Sequence, residues 1–307
     1  MAKTETTIKL LARFGRLNSQ RVNWENHWQE VADYMMPRKA NITKRRTRGD
    51  KRNELIFDSS PLQALELLAA SLHGMMTNPS TPWFTLKFKD AQMDQNDEAK
   101  LWLESVTADM YTAFNRSNFQ QEIFELYHDL ITFGTAAMYI EEDDEDLLKF
   151  STKHIAEIFI AEDDKGRIDT VYRKFTLSAR ALVQKFGNKV SQNIKVMSEK
   201  DPYQDVDILH CVYPRADFNP KLKDQENMPF ESVYLEMGSG DELSVSGFKE
   251  FPYVVPRYLK ASHEIYGRSP AMTALPDVKM LNEMSKTTIK AAQKQVDPPL
   301  LVPDDGF

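Results

Sequence analysis

Apolar residues recur every three or four positions over the first third of the chain, which is the pattern of amphipathic helices. From Thr7 to Met36 this spacing predicts one long helix that Pro37 ends. A second helix is predicted to begin at Ser60, as N-cap, with Pro61 at its first helical position. The first third is therefore predicted to be helical.

Two further helices are predicted over residues 94–115 and 118–134. Asn118 is the expected N-cap of the second, and Gln121 stands at the capping-box spacing behind it. Between the second and third helices, alternating apolar residues over 83–88 predict a short strand.

The middle of the chain changes to short β-prone runs separated by charged turns. These runs are 137–140, 147–151, 155–161, 168–175, 206–213, 231–237 and 243–248. A helix over 178–186 interrupts them, with Gly187 as its C-terminal cap. The order of elements predicts an α+β fold in which helices precede a small, largely antiparallel sheet with one inserted helix.

The last predicted element is a single helix that starts after Gly267 and ends near Val296. At about 100° per residue, four lysines fall within an arc of roughly 80°: Lys279, Lys286, Lys290 and Lys294. The opposite side carries an apolar to small-residue seam of Leu281, Met284, Thr288, Ala291 and Ala292. We expect the seam to pack against another helix and the lysines to form a basic stripe. Solvated lysines on a surface helix are the alternative.

Composition limits the class of protein. The 307 residues are 41% hydrophobic, which is enough to bury a core and excludes wholesale disorder. The single cysteine, Cys211, excludes a disulfide scaffold and suits a reducing compartment. No segment reaches the ~18 uninterrupted apolar residues of a membrane span, so no membrane partner is expected.

The strongest local charge lies between Arg38 and Arg52, in a chain whose net charge is −7. Asp50 is the one acid among its basic residues, which are Arg38, Lys39, Lys44, Arg45, Arg46, Arg48, Lys51 and Arg52. Each phosphate that such side chains neutralise releases counterions, so the segment is a candidate for sequence-independent contact with nucleic acid. The alternatives are a solvated loop and pairing with acidic groups of a neighbouring subunit.

Six consecutive acids occupy 141–146, between two β-prone runs. Carboxylates bind divalent cations, but a magnesium-dependent nuclease gathers them from several elements. An EF-hand loop needs a glycine at its sixth position, which this run lacks. We therefore predict a solvated hairpin tip, or a complement to a partner's basic loop, and no metal.

Signatures of catalysis are missing from the sequence. It has no Gly-rich loop followed by Gly-Lys-Ser/Thr and no Gly-x-Ser-x-Gly elbow at a strand-to-helix turn. The six histidines have no metal-ligand spacing. We predict no catalytic residues, no metal and no cofactor.

A set of short motifs runs along the chain. The longest are WQEVADYMMPR at 28–38, LAASLHGMMT at 68–77 and YGRSPAM at 266–272. The shorter ones are Asp-Ser-Ser-Pro at 58–61, Pro-Trp-Phe at 82–84, Ala-Leu-Pro-Asp at 274–277 and Leu-Asn-Glu-Met at 281–284. In their order along the chain they resemble the portal, or head-to-tail connecting, proteins of short-tailed bacteriophages. The motifs around Trp28 and Gly267 carry most of the resemblance.

The resemblance implies a phage portal fold, in which a helix-rich wing with a small antiparallel β subdomain is followed by a long stem helix. Residues 1–135 would be the helical part of the wing, 136–265 its β-rich part, and 266–296 the stem helix. Residues 297–307 would be the start of the clip. The rest of the clip, a second stem helix and a crown have no counterpart in this chain.

The resemblance also implies a non-catalytic ring of about twelve identical subunits at one capsid vertex, the channel for DNA packaging and ejection. The implied partners are double-stranded DNA, the terminase large subunit, major capsid and scaffolding proteins, and tail adaptor proteins. The implied location is the virion, after assembly in the host cytoplasm. The lysine stripe would line the channel, and the candidates for inter-subunit or DNA contacts are Arg38, Lys44, Arg45, Arg46, Arg48 and Arg52.

Two other functions are compatible with the charge pattern. A monomeric capsid-associated adaptor would bind DNA through residues 38–52. A metal-dependent nucleic-acid enzyme would use the acidic clusters at 141–146 and 162–164. A ring of about a dozen subunits seen in solution would separate both from the portal interpretation.

Overall fold

A computed structural model of the chain describes residues 5–44, 47, 49–89, 96–219, 224 and 227–298. These residues form helices and antiparallel sheets, which confirms the α+β class. The helices are α1 (Glu5–Met35), α2 (Ser60–Met76), α3 (Asp97–Arg116), α4 (Phe119–Phe133), α5 (Ala179–Phe186), α6 (Gln192–Lys200) and α7 (Pro270–Val296). The strands are β1 (Ala137–Asp143), β2 (Leu147–Lys153), β3 (Ile158–Glu162), β4 (Ile168–Ser178), β5 (Asp205–Pro214), β6 (Phe230–Glu236), β7 (Glu242–Phe248) and β8 (Tyr253–Val254).

The first two helices begin and end close to the predicted residues. α1 ends at Met35, just before a short 3-10 turn over Pro37–Lys39. α2 already includes Ser60, because Ser59 is the N-cap residue and the Asp58 carboxylate accepts the Ser60 backbone N–H at 2.7 Å. The prediction of Ser60 as N-cap is therefore wrong by one residue, since an upstream aspartate supplies the capping oxygen.

The predicted capping box of α4 does not form. The Asn118 side chain instead donates to the Phe150 carbonyl at 2.8 Å and accepts the Phe150 N–H at 2.9 Å. Asn118 thus joins α4 to β2, whose backbone offers it both a donor and an acceptor. At the other end of α4, Gly134 adopts the left-handed conformation (φ 74°) of a C-terminal cap.

The segment predicted as a strand at 83–88 has no strand structure. The Trp83 and Phe84 backbone N–H groups both donate to the Tyr111 hydroxyl at 2.7 Å. The Trp83 ring stacks on Phe119, with 5.8 Å between ring centroids. The alternating apolar side chains thus pack against α3 and α4. The backbone N–H groups bind a tyrosine side chain, whereas in a β-sheet they would bind a neighbouring strand.

The middle of the chain forms two antiparallel sheets where one was predicted. β2, β1 and β8 make the smaller sheet, and β3 to β7 pair in sequence order to make the larger one. The predicted strand at 155–161 begins as a 3-10 turn over Ile155–Glu157 before β3. The sequence patterns missed β8, which has only two residues, and α6, whose N-cap is Ser191. The inserted helix is thus a pair of helices.

α1 contributes to the packing of both the helical and the β-rich parts. Leu10 and Phe14 pack with Phe159 and Cys211 of the larger sheet. Further along the helix, the Arg21 guanidinium is fully buried, lies 3.8 Å over the Phe159 ring and donates to backbone carbonyls at 155, 156 and 158. A buried cation needs such hydrogen bonds to offset its desolvation. The two parts therefore share one core along α1.

Candidate nucleic-acid and assembly surfaces

Two carboxylates of α4 bind the first two residues of the basic segment. Arg38 donates two hydrogen bonds to Glu125, each 2.8 Å long, and Lys39 Nζ lies 2.6 Å from Glu125 and 2.5 Å from Asp129. Burial raises the pKa of Asp129 to about 6, against the opposing charge of Lys39. Burial would also raise the pKa of Glu125, but the hydrogen bonds from Arg38 and Lys39 outweigh it and lower that pKa to about 2. These two cations already have partners within the chain.

Gln29, buried in α1, positions the residues that follow. Its Oε1 accepts the backbone N–H groups of Ile42 and Thr43, each at 2.9 Å. Its Nε2 donates to Asp33 at 2.9 Å, and Asp33 also pairs with Lys44 at 3.0 Å. Gln29 belongs to the motif at 28–38, but its position in an amphipathic helix did not indicate these hydrogen bonds. Its side-chain hydrogen bonds fix the backbone of residues 42 and 43 to α1.

The remaining predicted cations of the segment differ in what the structure describes. Arg52 donates to the backbone carbonyl of Arg38, which brings the end of the segment back to its start. Arg45, Arg46 and Arg48 lie outside the described residues. Contact of this segment with DNA or with a neighbouring subunit stays a prediction.

The acidic run lies at the tip of the β1–β2 hairpin, as predicted: its first three residues end β1 and its last three form the turn. The Asp143 carboxylate accepts the backbone N–H groups of Glu145 at 3.3 Å and Asp146 at 3.1 Å. Glu141 lies 3.9 Å from Lys149 on the paired strand. Across the described ranges, no group of three or more His, Cys, Asp or Glu side chains is placed to hold a metal ion.

α7 leaves the core at a close crossing of two glycines. Gly134, at the end of α4, and Gly267, before α7, approach so closely that a Cβ on Gly134 would lie 2.3 Å from the Gly267 carbonyl oxygen. The Gly267 N–H donates to Thr135 Oγ1 at 2.8 Å. Ser269 donates to the Thr132 carbonyl at 2.8 Å, and its hydroxyl caps α7 by accepting the N–H of residue 272 at 3.0 Å. The crossing sets the direction in which α7 starts.

Aromatic contacts join the same crossing to α1. The Tyr266 ring meets Trp28 edge-on, with 5.0 Å between centroids, and the Trp28 indole N–H donates to the Phe133 carbonyl at 3.0 Å. Both rings are almost wholly buried. The motifs at 28–38 and 266–272 are therefore parts of one packed junction.

Asn282 attaches the middle of α7 to the loop before α2. Its Oδ1 accepts the N–H groups of Phe57 at 2.7 Å and Asp58 at 3.3 Å. Its Nδ2 donates to the Leu55 carbonyl at 2.8 Å. The motif at 281–284 includes Asn282 but did not indicate these contacts, since the three partners lie far away in the chain.

The four predicted channel lysines divide into two pairs. Lys279 pairs with Glu30 of α1, and Lys286 lies 3.1 Å from Glu283, with its ammonium 5.7 Å from the Phe57 ring centroid. The hydrogen bond to Glu30 is the main cause of a raised pKa at Lys279. Lys290 and Lys294 are exposed and have no ion pair within the described part of the chain.

The predicted seam of α7 is not buried within the chain. The buried residues of α7 lie instead on the same side of the helix as the lysines. They are Ala271, Met272, Leu275 and Asn282. Leu281 and Met284 are exposed, as is every residue from Thr287 to Val296. The expectation that the helix buries its seam and turns its lysines outward therefore fails in the single chain, because the lysine side is the one that packs on α1.

Residues 7–307 match the model of one protein family, described as bacteriophage head to tail connecting protein. The chain belongs to this family. The resemblance noted from the motifs is thereby confirmed. In this member of the head-to-tail connecting family, the two motifs that carry most of the resemblance meet at the Tyr266–Trp28 junction.

Two relatives are similar over almost the whole chain. One is named probable portal protein, from Bordetella phage BPP-1, and is 34% identical over 308 residues, covering 99% of this chain and 56% of the relative. The other is named portal protein, from Salmonella phage epsilon15, and is 35% identical over 309 residues, covering 99% of this chain and 55% of the relative. The chain thus spans about half the length of the curated relatives it matches. Among the helices that the structure describes, none has the length and apolar character needed to cross a bilayer.

Proposed function

We propose that this chain is a structural subunit of a phage portal, a ring at one capsid vertex that forms the channel for DNA packaging and ejection. The observation that carries the proposal is membership of the head-to-tail connecting family over residues 7–307, together with two relatives named as portal proteins. The proposed ring contains about twelve copies related by cyclic symmetry. The role is architectural, without catalysis.

The proposal divides the chain into a wing and a stem. Residues 1–135 form the helical part of the wing, 136–265 its β-rich part, 266–296 the stem helix and 297–307 the start of the clip. The support is the change from helices to sheets at Ala137 and the exposed extension of α7 beyond the shared core. Most of the proposed clip segment, residues 299–307, lies outside the described residues.

DNA passage is assigned to the free end of α7. Lys290 and Lys294 support this assignment best, because their ammonium groups have no carboxylate partner in the described ranges. Lys279 and Lys286 support it less, since each already has an acidic partner. Sparse lysines contact phosphates without reading bases, and a net charge of −7 per subunit limits adhesion of DNA that must slide.

The proposed partners follow from a ring at the vertex. They are double-stranded DNA, the terminase large subunit during packaging, the major capsid and scaffolding proteins around the ring, and tail adaptor proteins afterwards. The proposed location is the virion, with assembly in the host cytoplasm. None of these partners is a membrane.

The test of the proposed function is the oligomeric state of the purified chain. Native mass spectrometry and negative-stain imaging at micromolar concentration should reveal closed rings of about a dozen subunits. A monomer at every accessible concentration would contradict the proposal and favour the adaptor.

The DNA assignment has its own test in the double variant Lys290→Gln/Lys294→Gln. The slope of the logarithm of the DNA-binding constant against the logarithm of salt concentration should become less steep by about 0.9 for each phosphate contact that is lost. Lys200→Gln, on the exposed end of α6, is the matched control and should leave the slope unchanged. Equal losses in both variants would refute the assignment to α7.

A further inference from the structure

Side chains of the two sheets meet around His210, which is buried. Arg173, His210 and Tyr234 are direct partners in the register of β4, β5 and β6, so their side chains lie on the same face of the larger sheet. The His210 ring stacks on Tyr234, with 3.9 Å between ring centroids, and meets Tyr139 of the smaller sheet edge-on at 6.1 Å. These rings therefore join the two sheets, and Arg173 lies beside them.

Two lysines approach the same rings from other elements. The Lys153 ammonium, from β2, lies 5.9 Å from the Tyr139 ring centroid, and the Lys185 ammonium, from α5, lies 4.7 Å from the Tyr234 ring centroid. Burial lowers the pKa of His210 well below its ordinary value, and the charges of these two lysines and of the neighbouring arginine lower it further. Cations from three elements therefore act on one place.

Carboxylates bind some of the cations at this place. The Arg173 Nε donates to Glu157 at 2.8 Å, and Lys149, on the same face of β2 as Lys153, lies 3.9 Å from Glu141. The four cations, here called the inter-sheet cation cluster, are Lys149, Lys153, Arg173 and Lys185. Four cations with two carboxylates leave the cluster with a charge of +2.

Two cations of the cluster, Lys153 and Lys185, form no ion pair with a carboxylate among the described residues. Burial lowers the pKa of Lys153 to about 8, with a smaller contribution from Arg173, and burial is also the main cause of the lowered pKa of Lys185. Glu122 also acts on Lys153, but its carboxylate already accepts the Thr152 N–H at 2.5 Å. Like charges that are partly removed from water repel one another, so a bound anion would stabilise the cluster.

The Arg173 guanidinium offers the geometry for one particular anion. Glu157 binds only its Nε, and its two terminal nitrogens form no hydrogen bond with the described residues. The side chain is 20% exposed, so a solute can reach it. A guanidinium fork of this kind matches two oxygens of a phosphate. A phosphate group also carries about 1.5 to 2 negative charges at neutral pH, which is close to the excess charge of the cluster.

We propose that the inter-sheet cation cluster binds a phosphate group where the two sheets meet. Arg173 holds two phosphate oxygens through its terminal nitrogens, and Lys153 and Lys185 neutralise the charge. A free phosphate or nucleotide offers this chemistry, and so does a backbone phosphate of nucleic acid. The site lies in the β-rich part of the chain and does not depend on the proposed ring, so its failure would leave the portal function standing.

The test titrates the whole chain with inorganic phosphate in an isothermal calorimeter, against sodium chloride of equal ionic strength. The parent chain should bind phosphate, and Lys153→Gln/Lys185→Gln should weaken that binding about tenfold or more. Lys174→Gln is the matched control, because Lys174 lies on the opposite face of β4. Equal affinities of the double variant and the control would overturn the proposal. So would a parent chain that gives no more heat with phosphate than with chloride.

A second variant separates the guanidinium fork from its charge. Arg173→Lys keeps a cation that can pair with Glu157 but loses the two terminal nitrogens, so it should weaken phosphate binding about tenfold. Full affinity in Arg173→Lys would overturn the assignment of the fork.

Thermal melts check that the lysine variant still folds. Without phosphate, circular dichroism melts of Lys153→Gln/Lys185→Gln should match those of the parent chain, since no ion pair is lost. Added inorganic phosphate should raise the melting temperature of the parent chain but not that of the double variant. An equal rise in both proteins would count against the cluster as the binding site.

A short DNA duplex distinguishes the two sources of phosphate. If the ligand is a backbone phosphate, duplex binding should weaken in Lys153→Gln/Lys185→Gln but not in Lys174→Gln, and inorganic phosphate should compete with the duplex. If the ligand is a free phosphate or nucleotide, the duplex should bind both variants equally while their difference toward inorganic phosphate remains. Absence of both differences would overturn the proposal.

Discussion

The two halves of α7 belong to one continuous helix but have very different surroundings. The first half buries residues such as Leu275, bonds the loop before α2 through Asn282 and pairs Lys279 with α1. From Thr287 the second half is exposed on every side. The first half therefore fixes the direction of the helix, and the second half continues it without contacts to the described part of the chain.

The basic side chains also fall into two groups. Arg38 and Lys39 satisfy carboxylates of α4, as Lys279 satisfies one of α1. Lys290 and Lys294 have no such partner within the described residues. Basic residues that look equivalent in a charge count are thus divided into structural and available ones. Substitutions in the two groups should have different consequences.

The largest effect is expected at the glycine crossing that starts the first half of α7. Gly134→Ala adds a Cβ that would lie 2.3 Å from the Gly267 carbonyl oxygen, at a residue with φ of 74°. We expect a loss of about 4 kcal/mol or more in the free energy of unfolding, since neither backbone can retreat easily. Urea denaturation measures it.

Gly15→Ala is the matched control, because Gly15 lies within α1 with open space around it. It should gain about 0.5–1 kcal/mol, as alanine favours the helix. Equal stability of Gly134→Ala and the parent chain would show that α7 does not depend on the crossing.

A smaller effect is expected when a polar side chain is truncated to alanine, and it should differ between the two halves of α7. Asn282→Ala removes three hydrogen bonds to Leu55, Phe57 and Asp58 and should cost about 2–3 kcal/mol. Gln295→Ala, in the exposed half, should change the free energy of unfolding by less than about 0.5 kcal/mol. Similar losses at both positions would contradict the division of α7.

A smaller effect, dependent on pH, is expected at Glu125. Its pKa is about 2 in the folded protein, against an ordinary value of 4.5. Glu125 therefore contributes stability above pH 4.5 that is lost as the pH falls toward 2. Glu125→Gln should cost about 1–2 kcal/mol at pH 7, and the difference should shrink across that window.

Asp129 acts with the opposite sign in a higher window. Its pKa is raised from 3.8 to about 6, so its contribution is present below pH 3.8 and is lost as the pH rises through 6. Thermal melts of the parent chain and Glu125→Gln between pH 2 and about 8 separate the two windows. If the difference in melting temperature between the two proteins stayed constant over the whole pH range, the charge of Glu125 would not contribute to its contacts with Arg38 and Lys39.

The smallest effects on stability are expected at the lysines themselves. Lys279→Gln breaks an exposed pair with Glu30 and should cost about 0.2–1 kcal/mol. Lys290→Gln should cost about 0–0.5 kcal/mol, because no ion pair is lost. A larger loss at Lys290 than at Lys279 in the same denaturation assay would reverse the order.

The long elements were predictable from the sequence because their signals are local. Apolar spacing placed α1 and α7 to within a few residues, and Pro37 ended the first helix as expected. The strand predicted at 83–88 failed because alternation reports which side chains are buried, not whether another strand is available. The division into two sheets was missed because strand patterns do not show which strands pair, and β8 is too short to form a pattern.

The candidate site was predictable in its residues but not in their roles. The sequence identified the basic segment and the lysine stripe, yet Arg38 and Lys279 turn out to be bound by acids from other elements. Gln29 and Asn282 lie within motifs of the family resemblance, but nothing in those motifs indicated the backbone groups that they bind. Hydrogen-bond partners far away in the chain are not visible in spacing or composition.

The sequence by itself determined the α+β class, the long helices, the acidic hairpin turn and the resemblance to head-to-tail connecting proteins, since each depends on neighbouring residues or on short motifs. Only the tertiary structure decided which side of α7 faces the body, that Gly134 and Gly267 must both be small, and which stem lysines have a carboxylate partner among the described residues. The physical reason is that desolvation, close packing and charge pairing act between residues brought together by folding.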